Sequence, residues 1–148
     1  MANGSHNHSP QLADAIGRAA VAFRGYNTTN LGRTGELWQV PAYQPVLEKW
    51  LDLGSQVCQR LHGGTTDLVA RVVGKLEADL DHYAEAVALI MAVEFAQLQL
   101  LTEVHGVPFA KARLTYGYSL GELTAIAACG MESLIQVPGV CIHTCPPF

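Results

Sequence analysis

Leu114-Thr115-Tyr116-Gly117-Tyr118-Ser119-Leu120-Gly121-Glu122-Leu123-Thr124-Ala125 passes from an extended segment through a glycine-flanked serine into an alanine-rich run. The pattern predicts a strand over Phe109 to Tyr116, a sharp turn, and a helix over Leu123 to Cys129 stopped by Gly130. Gly117, Ser119 and Gly121 form G-x-S-x-G, the spacing that thrusts a serine hydroxyl out of a strand-to-helix bend where a Cβ on either side would strike backbone. With 14 glycines among 148 residues, and Ser119 one of five serines, about 0.04 such matches arise by chance. Chance is therefore a poor explanation. The following helix turns its free N–H groups and positive dipole end toward the serine, so the Leu120 amide is a candidate oxyanion donor.

Outward from this turn, Tyr83 to Val104 is the clearest helix, rich in Ala, Leu, Met, Glu and Gln, and is expected to be buried on most sides. Val46, Leu47, Trp50, Leu51, Leu53, Val57 and Leu61 recur at three- and four-residue steps, predicting an amphipathic helix that opens after Pro41 and stops near His62 to Gly64. Leu68 to Val73 suits a short helix that Gly74 weakens. Ala19 to Phe23 is a compact apolar run expected to be a buried strand, breaking into a polar loop over Gly25 to Gly35 that can approach a ligand closely. Strands separated by helices imply an α/β fold with a short parallel sheet. Residues 1–17 are expected to be a flexible extension and 135–148 an irregular tail, with 18–134 as the folded part.

Composition narrows the function. Apolar residues make up 49% of the chain and charged residues 15%, so a buried core is expected rather than disorder. A net charge of -4 offers no basic footprint for nucleic acid. No segment is expected to span a membrane, because Ala84 to Val93 carries Glu85 and is followed at once by Glu94. Met1 to Pro10 lacks the basic and apolar regions of a secretory signal, so the expected location is cytoplasmic. Cys58, Cys129, Cys141 and Cys145 are too sparse for a disulfide scaffold and read as free thiols. Cys141, His143 and Cys145 alternate, but the spacing is unlike that of zinc ligands, and no metal is expected. Glu85 and Glu94 lie about 13 Å apart along a helix axis, too far for paired acid-base work. Glu122, in the first turn after the serine, suits the helix dipole.

The run YGYSLGELTAIAACG, Tyr116 to Gly130, resembles the nucleophile-elbow segment of the malonyl-CoA:acyl carrier protein transacylases and of the acyltransferase domains of polyketide and fatty acid synthases. That family reads G-H-S-L-G-E before an alanine-rich helix ending in glycine. Phe23-Arg24-Gly25-Tyr26-Asn27 is similar to its early F-P-G-Q-G loop, and Tyr83 to Gly106 falls where it has a long helix before the elbow strand. The resemblance covers about residues 18 to 130. It implies an α/β-hydrolase-like acyltransferase core in which Ser119 takes an acyl group from a coenzyme A thioester, holds it as a seryl ester, and passes it to the thiol of an acyl carrier protein. No bound cofactor is implied. Leu120 and Tyr26 would supply the oxyanion amides, and Gly117, Tyr118 and Gly121 the elbow.

The departures are specific. Tyr118 stands for the family's histidine, and Tyr26 and Asn27 for Gln and Gly in the loop. The family pairs the malonyl carboxylate with an arginine beyond the serine, but Leu120 to Phe148 contains neither Lys nor Arg. Its catalytic histidine follows a ferredoxin-like subdomain and has no counterpart before Phe148, and His62, His82, His105 and His143 read as ordinary surface or helix-end residues. The resemblance is therefore to the N-terminal part of that domain, without its C-terminal half, and implies weak or absent activity for this chain alone. The uncovered apolar face would leave scope for self-association. Two other readings accommodate the same residues: a serine esterase or patatin-like hydrolase, and a non-catalytic module that binds a carrier protein.

Overall fold

The computed structural model describes residues 10–27, 31–77 and 82–134. In chain order these form α1 (Pro10–Ala15), a 3-10 turn (Ile16–Arg18), β1 (Ala20–Phe23), α2 (Thr34–Trp38), α3 (Gln44–His62), α4 (Leu68–Val73), α5 (Tyr83–Glu103), a 3-10 turn (Phe109–Lys111), β2 (Leu114–Gly117) and α6 (Leu120–Leu134). The fold is mixed α/β and mostly helical, with a small parallel sheet of two strands. Ala20 pairs with Leu114 and Phe23 with Gly117, so both strands end at the same edge. The intervening helices form the crossover that a parallel pair requires.

The helical core lies between α3 and α5. Leu47 and Leu51 on α3 and Leu89, Ala92 and Ala96 on α5 are buried together with Leu68 and Val72 of α4. Gly54 permits the close approach, since a Cβ there would meet the Leu68 side chain at 2.9 Å and the Ala92 Cβ at 3.5 Å. Trp50 stacks on Phe95 with ring centroids 5.0 Å apart and donates its indole N–H to Gln99 Oε1 at 2.8 Å. Asp67 caps α4 by accepting from the Ala70 amide at 2.8 Å. A second cluster, Phe23, Phe109, Ala125 and Ala128, joins the strands to α6 and to Phe95 and Leu98 of α5.

The elements differ from expectation in five places. Residues 10–17, assigned to a flexible extension, are helical, and Ile16 is buried against Val107 and Ala112. The strand predicted from Phe109 begins only at Leu114, because Pro108 leads into a 3-10 turn that buries Phe109. The polar loop after β1 closes earlier than Gly35, at the first turn of α2. Gly130 does not stop α6, which begins at Leu120 and continues to Leu134; a mid-helix glycine costs only about 1 kcal/mol and packing overrides it. Finally, α5 is long and apolar enough to cross a membrane by length and composition, and 28% of that window is buried rather than most of it. One stripe, Ala86, Leu89, Ala92, Ala96 and Leu100, is fully buried, while a two-stranded sheet is too narrow to cover the rest. The tail, with Cys141, His143 and Cys145, lies outside the described residues.

Candidate active site

Ser119 sits where β2 hands over to α6, with φ at +55°. A side chain in this left-handed region is held by its surroundings, since L residues other than Gly, Asn and Asp rarely adopt it. The flanking glycines show what holds it. A Cβ on Gly117 would lie inside the backbone of Gly121, and one on Gly121 would strike the carbonyl oxygens of Phe23 and Arg24. The bend is pressed against the end of β1 with no room for a side chain on either side. Hydrogen bonds complete it: Tyr118 N–H donates to the Phe23 carbonyl at 3.3 Å, and the Gly121 and Glu122 amides donate to the carbonyls of Tyr118 and Ser119 at 3.0 Å. Leu120 is buried and anchors the first turn of α6, whereas Ser119 is exposed and Tyr118 is 80% exposed. The Leu120 amide takes part in none of these turn bonds and heads the helix, as an oxyanion donor must.

The loop leaving β1 crosses this bend at Gly25, where an added Cβ would lie 3.3 Å from the Ser119 Cβ and 2.9 Å from the Tyr118 carbonyl oxygen. Tyr26 is the next residue, so its amide is close in sequence to the serine's neighbour. Its side chain goes elsewhere, with the ring against Tyr83 (centroids 4.9 Å apart) and the hydroxyl buried without a partner. Tyr118 and Ser119 thus meet the loop at Gly25, and Gly121 meets the backbone of Phe23 and Arg24.

A groove of about 560 Å³ begins at this loop and runs between β1 and the flank of α5. Val21, Ala22, Phe23 and Arg24 all line it; consecutive strand residues share a wall only where the strand's edge faces it. Leu89, Ile90, Val93 and Leu98 make the opposite wall apolar. Its cations are Arg24 and Arg33, and Arg33 is already paired with Glu36 at 3.0 Å.

Two carboxylates on α5 have distinct partners. Glu85 accepts from Arg71 Nη1 at 2.7 Å and from Thr66 Oγ1 at 2.9 Å, an ion pair that fastens α4 to α5. Glu94 borders the groove and accepts from Thr124 Oγ1 at 2.6 Å, while the Arg24 backbone amide also turns to it. Burial pushes the Glu94 carboxyl up, and the Thr124 and Arg24 hydrogen bonds partly offset that. Sequence reading weighed Glu94 only as a partner for Glu85. The overlooked signal was a lone acid inside an apolar helical run, which needs a buried donor. Thr124, fully buried, carried no sequence signal.

Among the described residues, no histidine lines the groove. His62 ends α3, His82 precedes α5, and His105 follows α5 with Nε2 2.8 Å from the Tyr43 hydroxyl; His143 lies outside the described residues. Among the described residues, no three His, Cys, Asp or Glu side chains are grouped to hold a metal ion. Cys58 and Cys129 are buried, and burial raises the Cys58 thiol, keeping it protonated and inert. No protein-family model, characterised protein or solved structure matches this chain.

Proposed function

We propose that this chain is an acyltransferase of the malonyl-transacylase type, with Ser119 as the acyl-carrying nucleophile. The observation that supports it most is the exposed serine held at φ +55° between Gly117 and Gly121, at the junction of a strand and a helix. Oγ attacks the thioester carbonyl of an acyl-CoA; the C–S bond breaks, the coenzyme leaves as thiolate, and the hydroxyl proton passes to water or buffer base. The Leu120 amide and an amide from the Gly25–Tyr26 loop hold the oxygen as it gains charge. Transfer to the pantetheine thiol of a carrier protein reverses these steps and restores the hydroxyl. The hydrolase-like core and the cytoplasmic setting belong to this reading.

Among the described residues no histidine lines the groove; a serine without a base is a slow nucleophile, and a base is worth about 10²–10⁴-fold in such steps. The expected behaviour is stoichiometric acylation followed by little turnover. Mass spectrometry after incubation with malonyl-CoA and with acetyl-CoA tests it: one adduct on the peptide containing Ser119, absent in Ser119→Ala, is expected. Equal labelling by p-nitrophenyl esters would instead identify a hydrolase. No adduct from any donor would leave the elbow as a binding surface and end the acyl-transfer reading.

A further inference from the structure

Glu94 is an acidic group bordering the groove that the chemistry above does not use. It lies eleven residues into α5, within a run of Leu89, Ile90, Met91, Ala92 and Val93, where a carboxylate loses hydration and gains no helix contact in return. Its two donors come from the two segments that build the site. Thr124 Oγ1, fully buried on α6 five residues after Ser119, donates at 2.6 Å, a short charge-assisted distance. The Arg24 backbone amide, just past the last strand pairing at Phe23, is the other. Gly25, which lies against Ser119, is the next residue.

We propose that Glu94 is a positioning residue for the acyl-transfer centre: its carboxylate ties the segment leaving β1 to α6 and thereby holds the Gly25–Tyr26 amides over Ser119. Glu94 touches neither the serine nor the acyl group and acts through the backbone it anchors. This role rests on the acyl-transfer reading only for its kinetic consequence. The structural consequence, an Arg24–Gly25 segment that loosens when the carboxylate is removed, stands apart from any activity.

The physical reason for a carboxylate at this position is that a loop amide cannot anchor itself. The Phe23 and Arg24 carbonyl oxygens lie close over Gly121, and the Arg24 N–H is a donor to Glu94. An apolar side chain at position 94 would fill the space and leave that N–H without an acceptor. Glutamine keeps one carbonyl oxygen as an acceptor at nearly the same volume.

Three variants separate this from a packing role. Glu94→Met keeps the volume and helix propensity while removing the acceptor, Glu94→Gln keeps the acceptor, and Thr124→Val removes one donor at constant volume. Residue-resolved amide hydrogen exchange on the intact chain is expected to show Arg24 protection falling at least tenfold in Glu94→Met and at least threefold in Thr124→Val. Glu94→Gln should stay within threefold of the parent. Single-turnover acylation of Ser119 by acyl-CoA should follow the same order, with Glu94→Gln rescuing the rate lost in Glu94→Met. Unchanged Arg24 protection in Glu94→Met, or a Glu94→Gln variant as loose as Glu94→Met, would overturn the proposal. A parent chain that no thioester acylates would end the acyl-transfer reading, and the exchange measurement would still decide the role of Glu94.

Discussion

At the scale of single residues, the strain at Ser119 and the tight fit around it can be measured separately from any activity. A non-glycine residue in the left-handed region costs about 1 kcal/mol, so Ser119→Gly should be more stable than the parent by about that amount while Ser119→Ala, which keeps its Cβ, stays within about 0.5 kcal/mol. Denaturant midpoints at unchanged slope read this difference directly. The neighbouring glycines provide the opposite case. Gly121→Ala sets a Cβ against the Phe23 and Arg24 carbonyls and is expected to lose about 3 kcal/mol or more. Gly130→Ala meets nothing within 4 Å on a helix interior and should gain about 0.5–1 kcal/mol. The spacing G-x-S-x-G was legible in the sequence because a steric requirement on two Cβ atoms leaves a local mark. Which backbone supplies the clash was not, since Phe23 and Arg24 lie almost a hundred positions away along the chain.

At the scale of elements, α5 connects the helical core to the site, and its two acids divide that work. Glu94 has a carboxyl raised by burial, so the folded chain keeps its proton at pH values where the unfolded chain has released it. The sign follows: its contribution to stability is lost as pH rises above the ordinary carboxylate value of 4.5 toward the raised one. Glu94→Gln cannot titrate, so its stability relative to the parent should increase between about pH 4 and about pH 7, as urea titrations at both values would show. A flat difference would mean that the carboxyl is hydrated. Helix periodicity made α3 and α5 readable in advance, because a buried stripe imposes its own spacing on apolar residues. It also overstated how far α5 is covered. A uniformly apolar helix carries no phase to show which flank has a neighbour and which faces the groove.

At the scale of the whole molecule, stability is concentrated between α3 and α5, while the sheet and α6 carry the serine. Leu89→Ala, in that core at 1% exposure, is expected to cost about 2–5 kcal/mol. Leu123→Ala, on the outer face of α6 at 57% exposure, should change stability by less than about 0.5 kcal/mol. Thermal or urea unfolding of the two variants checks this ranking, and comparable losses would place the core elsewhere. The sequence by itself determined the local features: two long helices from their apolar period, an elbow from its glycines, and a strand on either side of the helical crossover. Each depends on forces between residues a few positions apart, and such forces leave a pattern in the chain. Only the tertiary structure decided that residues 10–17 are helical, that Gly25 lies against Ser119, that Glu94 joins Arg24 to Thr124, and that no histidine among the described residues lines the groove. These are contacts between distant segments, set by how the helices pack on a narrow sheet, and a one-dimensional pattern does not encode a partner that far away.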